Sequence, residues 1–89
     1  MDASELIRQI QAALDNMAED NSVPRNIRRG AASAKEMLQK EGDALDVRIA
    51  SAIFLLDELA NDPNIPLHGR TQIWSVISAL EQVNAKIKK

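Results

Sequence analysis

The chain of 89 residues contains no cysteine and a single histidine, which limits the chemistry of its side chains. Without cysteine it has no disulfides, thiolate-bound metals, iron–sulfur clusters or cysteine nucleophiles. The single histidine, His68, excludes metal motifs that need two histidines, although carboxylates alone could hold a hard cation. We therefore expect no cofactor, no small-molecule substrate and no enzymatic activity.

Aromatic residues and long apolar runs are also scarce. Phe54 and Trp74 are the only aromatic residues, fewer than a β-sandwich or barrel normally contains. No apolar run approaches the roughly 20 residues that cross a membrane, and the acidic start lacks the basic residues of a signal peptide. The net charge of −2 provides no overall attraction for nucleic acid. These features predict a cytoplasmic protein that makes no membrane contact.

Apolar residues recur at helical spacing in four blocks, which predicts a single all-α domain over residues 1–89. The blocks run from Leu6 to Met17, from Ile27 to Leu38, from Leu45 to Leu59 and from Ile73 to Ile87. The third block is apolar around most of its circumference. Such a helix is either central in the fold or covered by another subunit.

Several residues mark where these helices begin and end. Asp2 is placed to start the first helix, and Pro24 and Pro66 fit the entries of the second and fourth helices. Gly42 can close the second helix, and Asp43 can cap the third. Gly30 is unfavourable inside a helix, so a neighbouring backbone that approaches closely is one explanation for it.

The segment from Leu14 to Leu38 aligns without a gap with the segment from Leu56 to Leu80, so the chain contains an internal repeat. The identical pairs are Leu14 and Leu56, Asp15 and Asp57, Ala18 and Ala60, Asp20 and Asp62, Pro24 and Pro66, Arg28 and Arg70, Ser33 and Ser75, and Leu38 and Leu80. The repeat predicts two similar helical hairpins that close as an up-and-down four-helix bundle. The alternative is a two-repeat HEAT-like superhelix, although solenoids need about three repeats or more.

In an up-and-down bundle the two proline-containing loops lie at the same end, which suggests a structural role for the residues that they share. These residues are Asp20, Pro24 and Arg28 in the first copy, and Asp62, Pro66 and Arg70 in the second. An arginine at the core border can place its guanidinium over the loop and bond loop carbonyls or the aspartate. The functional alternatives are an Asp/Arg catalytic or anion site, or a cation between the two aspartates.

Three features of the surface are candidates for partner contact. Arg25, Arg28, Arg29 and Lys35 form a basic cluster on the second helix, which is either a solvated face or a contact for RNA or an acidic partner.

Trp74 lies beside the core stripe of the fourth helix. Core packing is its simplest role, and a dimer interface is the alternative. A Ser-His-Asp arrangement with His68 lacks a nucleophile motif, so we interpret His68 as a surface residue.

Three segments are similar to the small archaeal proteins of uncharacterised protein family UPF0147. They are DNSVPRNIRRGA (residues 20–31), EGDALDVR (residues 41–48) and NDPNIPLHGRTQIW (residues 61–74). The resemblance covers nearly the whole chain and implies an archaeal, cytoplasmic, compact four-helix bundle. It implies no particular activity. The leading hypothesis is a non-enzymatic module that binds another protein or itself, and RNA binding through the basic cluster is the alternative.

Overall fold

The computed structural model describes residues 2–87, which form four helices joined by short loops. Helix α1 spans Ala3–Ala18, α2 spans Arg25–Gln39, α3 spans Leu45–Ala60 and α4 spans Leu67–Ile87. Each helix packs against the next, and α1 also packs against α4, so the four helices form a closed square. This closure confirms the up-and-down bundle, because a two-repeat superhelix would keep its first and last helices apart. None of the described helices is long and apolar enough to cross a membrane.

The core consists of apolar side chains from all four helices. Leu14, Ile27, Leu56 and Ile73, one from each helix, are completely buried. No polar or charged side chain between residues 2 and 87 is buried to this degree. Each of the four apolar blocks therefore contributes residues at helical spacing to one shared core.

The starts of α1 and α3 differ in how well the sequence predicts them. Asp2 caps α1 as expected, because its side chain accepts a hydrogen bond of 2.9 Å from the backbone N–H of Glu5. The prediction that Asp43 caps α3 is wrong. The residue before α3 is Ala44, and Asp43 instead lies 3.5 Å from the Lys40 ammonium.

Gly42 allows an unusual backbone conformation, and Gly30 allows close packing between two helices. Gly42 has a positive φ of 96°, a conformation that favours glycine in the turn after α2. Gly30 lies where α2 meets α3, and a Cβ atom there would clash with the side chain of Leu59. The close neighbour of Gly30 is therefore a side chain of α3, whereas the sequence suggests a neighbouring backbone.

Candidate functional site

The two proline-containing loops, residues 19–24 (the first corner) and residues 61–66 (the second corner), meet at one end of the bundle. Two side-chain contacts join the corner regions. The Ser22 hydroxyl lies 2.9 Å from Nε2 of His68, and the Asn26 amide donates a hydrogen bond of 2.6 Å to the Asp62 carboxylate. The corners are therefore neighbours, as an up-and-down bundle requires.

Each corner contains the same local hydrogen bonds at equivalent positions of the repeat. The Asp20 carboxylate accepts a bond from the backbone N–H of Ser22, and the Asp62 carboxylate accepts the equivalent bond from Asn64. The Asp20 carbonyl likewise accepts from Val23, as the Asp62 carbonyl does from Ile65. An aspartate carboxylate that accepts a hydrogen bond from the backbone N–H two residues later forms an Asx turn. Each Asx turn directs the chain towards the following helix.

Val23 and Ile65 close the end of the core beneath the corners. Both are buried, and each precedes a proline that keeps it out of helical geometry. Gly69 at the start of α4 lies between them, since a Cβ atom there would lie 3.2 Å from Ile65 and 3.4 Å from Val23. The two corners therefore pack tightly over the core.

A polar cluster of Asp20, Ser22 and His68 connects the first corner to α4. The Ser22 hydroxyl donates to Asp20 at 2.6 Å, so its oxygen can only accept the bond from Nε2 of His68. The same nitrogen lies 3.6 Å from the second Asp20 carboxylate oxygen. Hydrogen bonds from the Ser22 side chain and backbone, with a smaller contribution from nearby His68, lower the pKa of Asp20.

This cluster contains the three residue types of a hydrolytic triad but not the arrangement. A nucleophilic serine must be able to pass its proton to the histidine, and the aspartate must orient that histidine from its other side. Here the serine proton is directed to Asp20. The interpretation of His68 as a plain surface residue misses its contact with Ser22, because the two lie far apart along the chain.

Two arginines cover carbonyls at the C-terminal ends of helices. Nε of Arg70 donates to the carbonyl of Ala60 at 3.0 Å, and Nη1 of Arg48 donates to the carbonyl of Leu38 at 2.8 Å. Both carbonyls belong to the last turn of their helix, where no backbone N–H is available and positive charge is favourable. Arg70 bonds the last carbonyl of α3 instead of the loop carbonyls or the aspartate that the sequence predicts, whereas no pattern in the sequence indicates the role of Arg48.

Arg28, the repeat counterpart of Arg70, makes a different contact. Its Nη1 donates to the side-chain oxygen of Asn21 at 3.2 Å, and its buried Nε has no hydrogen-bond partner in the described part of the chain. Neither arginine bonds an aspartate, because Asp20 and Asp62 accept from other groups. Residues 2–87 contain no group of three or more Asp, Glu or His side chains that could hold a metal ion.

The basic cluster of α2 does not form one continuous positive surface. Lys35 is in an ion pair with Asp15 of α1 at 2.7 Å, and Arg28 is half-buried with its bond to Asn21. Only Arg25 and Arg29 are exposed. The cluster therefore offers a nucleic acid fewer cations than its sequence suggests.

Large apolar side chains lie on the outside of the second hairpin, α3 and α4 (residues 45–87). The exposed ones in the described chain are Val47, Phe54, Leu67, Trp74 and Ile87. The expectation that Trp74 packs in the core is wrong, because 54% of it is exposed. Ile73 occupies the core position instead, and the adjacent residue on a helix points about 100° away.

Four of these residues can share one surface, which we call the apolar face: Val47, Phe54, Leu67 and Trp74. Val47 and Phe54 are seven residues apart on α3, and Leu67 and Trp74 are seven apart on α4, so each pair lies on one side of its helix. Phe54 lies six residues before the end of α3, and Trp74 lies seven residues after the start of antiparallel α4. The two aromatic residues are therefore at similar heights on adjacent helices.

Residues 1–83 match the model of the uncharacterised protein family UPF0147, so the chain belongs to this family of small archaeal proteins. A relative from Methanocaldococcus jannaschii is 53% identical over 79 residues, which is 89% of this chain and 85% of the relative. A relative from Thermococcus kodakarensis is 52% identical over 81 residues, covering 90% of this chain and 98% of the relative. Both relatives are described only as members of the family.

Solved structures of two similar proteins have the same fold. The crystal structure of a family member from Thermoplasma acidophilum has a TM-score of 0.87 and 41% identity, covering 90% of this chain and 94% of that protein. A second crystal structure, of a protein described as of unknown function, has a TM-score of 0.84 and 46% identity, with coverage of 88% and 89%. The relatives and structures establish the family and the fold, and none assigns an activity.

Proposed function

We propose that the protein is a non-enzymatic, cytoplasmic interaction module that binds another protein through the apolar face. The observation that carries this proposal is the exposure of two aromatic residues, Phe54 at 69% and Trp74 at 54%, at similar heights on adjacent helices. Aromatic side chains are the groups most enriched at the centres of protein interfaces.

The polar cluster at the corners supports a non-enzymatic role. Ser22, Asp20 and His68 satisfy one another across the junction of the two corners, with the serine proton directed to the carboxylate. The arginines of α3 and α4 are similarly engaged, since Arg48 and Arg70 bond helix-end carbonyls. The serine, aspartate, histidine and arginine side chains that could take part in catalysis therefore form structural hydrogen bonds within the bundle.

The exposed area of the two aromatic side chains limits the binding free energy that they can contribute. A buried aromatic side chain covers about 150–250 Å², so the exposed parts of Phe54 and Trp74 amount to on the order of 250 Å². Burying that area contributes about 6 kcal/mol, which is similar to the association cost of about 4–15 kcal/mol. A stable complex therefore needs further contacts around the two aromatic side chains.

Affinity purification from the native archaeal cell, followed by quantitative mass spectrometry, tests the proposal. The bait variants are Phe54→Ser with Trp74→Ser, compared with the unmodified chain. The matched control is Ala12→Ser with Ala32→Ser in the first hairpin, α1 and α2, because Ala12 and Ala32 precede Phe54 and Trp74 by the same offset of 42 that relates the two copies of the repeat.

We expect a protein to co-purify stoichiometrically with the unmodified chain and with the control variant, and to be lost from the aromatic variant. Loss from both variants, or from neither, contradicts the proposal. Co-purification of RNA that depends on Arg25 and Arg29 would instead support the nucleic-acid alternative, whose affinity must fall steeply with salt. A second copy of the chain would appear as a dimer in sedimentation that Phe54→Ser converts to a monomer.

A further inference from the structure

We propose that the partner of the apolar face is a basic amphipathic helix of another protein. This inference rests on the proposed function and specifies the partner by its chemistry. The exposed acidic residues of α3 and α4 support it, together with the small number of free positive groups on these two helices among the described residues.

Exposed acidic side chains share α3 and α4 with the aromatic residues. Asp57 and Glu58 follow Phe54 by three and four residues, so they are its neighbours on the surface of α3. Glu81 lies seven residues beyond Trp74 on the same side of α4, and Asp46 lies beside Val47 at the other end of α3. All four acidic residues are exposed, and none forms an ion pair with another residue of 2–87.

The positive groups of α3 and α4 are either bonded to helix-end carbonyls or distant from Trp74. Arg48 and Arg70 are half-buried and donate to the carbonyls of Leu38 and Ala60. Lys86 is the remaining lysine or arginine of the second hairpin within the described residues, and it lies near the C-terminal end of α4. At a rise of about 1.5 Å per residue it is about 18 Å from Trp74 along the helix, more than twice the screening length of about 8 Å at physiological salt.

The pattern fits a helix that presents apolar residues to the two aromatic side chains and Lys or Arg on both flanks. An amphipathic helix binds a groove through apolar residues at spacings of three, four and seven. Its flanking cations would face Asp57 and Glu58 on one side and Glu81 on the other. Such charge complementarity speeds encounter and rejects partners of the wrong sign.

A second copy of this chain fits the face less well. A symmetric dimer brings the same patch of both copies together, so the acidic residues of one copy would lie against the acidic residues of the other. A copy that instead presented Arg25 and Arg29 would make a head-to-tail contact, which continues into an open chain of molecules unless the rotation closes a ring. The charge distribution therefore favours a different protein with a basic surface.

Selection from a display library tests the proposal even though the partner is unidentified. The library consists of helical peptides with apolar residues at the binding spacings and random residues elsewhere, selected on the immobilised full chain. The affinity of the selected peptides is then measured for the unmodified chain, for Asp57→Lys with Glu58→Lys, and for Phe54→Ser. Glu19→Lys with Glu36→Lys is the matched control, since these acidic residues are exposed on the first hairpin.

We expect enrichment of peptides with Lys or Arg on the flanks, whose binding requires Phe54 and weakens as salt is raised. Reversal of Asp57 and Glu58 should weaken binding at least about tenfold, whereas the control reversal should change it less than about twofold. The salt dependence of the unmodified chain tests the charge contribution even if the reversed variant unfolds.

The other outcomes overturn the proposal in distinguishable ways. Enrichment of neutral or acidic peptides that still require Phe54 contradicts the basic partner and leaves the apolar face as a binding site. A dimer that Phe54→Ser dissociates identifies a second copy as the occupant. If no peptide depends on Phe54 and the chain is monomeric, both the inference and the proposed function fail.

Discussion

The first hairpin (α1 and α2, residues 3–39) and the second hairpin share their corner geometry but differ on the outside. Both corners contain the same Asx turn and the same backbone bond before the proline. The outer positions differ: Glu5, Ala12, Arg25 and Ala32 in the first hairpin correspond to Val47, Phe54, Leu67 and Trp74 in the second. Of the described residues, only those of the second hairpin include exposed large apolar side chains.

This contrast separates the requirements of folding from those of binding. Core positions such as Leu14 and Leu56 are constrained by packing in both hairpins, because each is completely buried. An exposed Phe54 adds little to folding, since its side chain remains largely in water. The apolar side chains outside α3 and α4 are therefore not explained by stability, and the proposed partner binding would account for them.

The largest expected effects are at the equivalent core leucines. We expect Leu14→Ala and Leu56→Ala each to lower the free energy of unfolding by about 2–5 kcal/mol, because each substitution leaves a cavity in a closed core. Urea denaturation measures both values. A cost below about 1 kcal/mol at either site would show that the hairpins do not share one core.

The next largest loss of stability is expected for the arginines that bond carbonyls at helix ends. Arg70→Ala and Arg48→Ala should each destabilise the chain by about 1–3 kcal/mol, because a carbonyl loses a charged donor. Arg28→Ala should cost less than either, since its bond to Asn21 is exposed. Arg25→Ala is the control and should change stability by less than about 0.5 kcal/mol. Equal melting temperatures for all four variants would contradict this ranking.

The polar cluster predicts a stability difference that depends on pH. The pKa of Asp20 is lowered in the folded chain, so its ionised form adds stability above the unfolded value of 3.8. That stability is lost as the pH falls through the lower, folded pKa. Asp20→Asn should therefore lower the melting temperature near neutral pH, and the gap from the unmodified chain should close in acid.

A background that lacks the Ser22 hydroxyl provides the control for this pH effect. Both the side chain and the backbone of Ser22 donate to Asp20, and Ser22→Ala removes the side-chain donor. We expect Asp20→Asn to lower the melting temperature by a smaller amount in the Ser22→Ala background than in the natural chain. A gap of the same size and pH dependence with and without the hydroxyl would contradict the assigned cause.

The smallest effect is expected at the apolar face. Phe54→Ser and Trp74→Ser should each change the free energy of unfolding by about 1 kcal/mol or less, because more than half of each side chain remains in water. Urea denaturation provides the measurement. Destabilisation of more than about 2 kcal/mol, the range of core truncations, would show that these side chains belong to the core and that the contrast between the hairpins is wrong.

The sequence predicts more of the fold than of the surface. Helical periodicity and the repeated prolines predict the four helices and the shared end, because the spacing of apolar residues and the geometry of proline are both determined by short stretches of the chain. The prediction that Trp74 packs in the core fails because Trp74 directly follows the core residue Ile73, and adjacent residues of a helix point about 100° apart. The contact of His68 with Ser22 and that of Arg48 with Leu38 depend on which helices pack together, which the spacing does not specify.

Collisional quenching of Trp74 fluorescence most directly tests the claim that the apolar face is free in the chain and covered by its partner. Trp74 is the single tryptophan, so its signal reports this face alone. We predict that acrylamide quenches it readily in the dilute monomer and that a bound partner protects it. Protection in the free monomer, or equal quenching in the complex, would contradict the account.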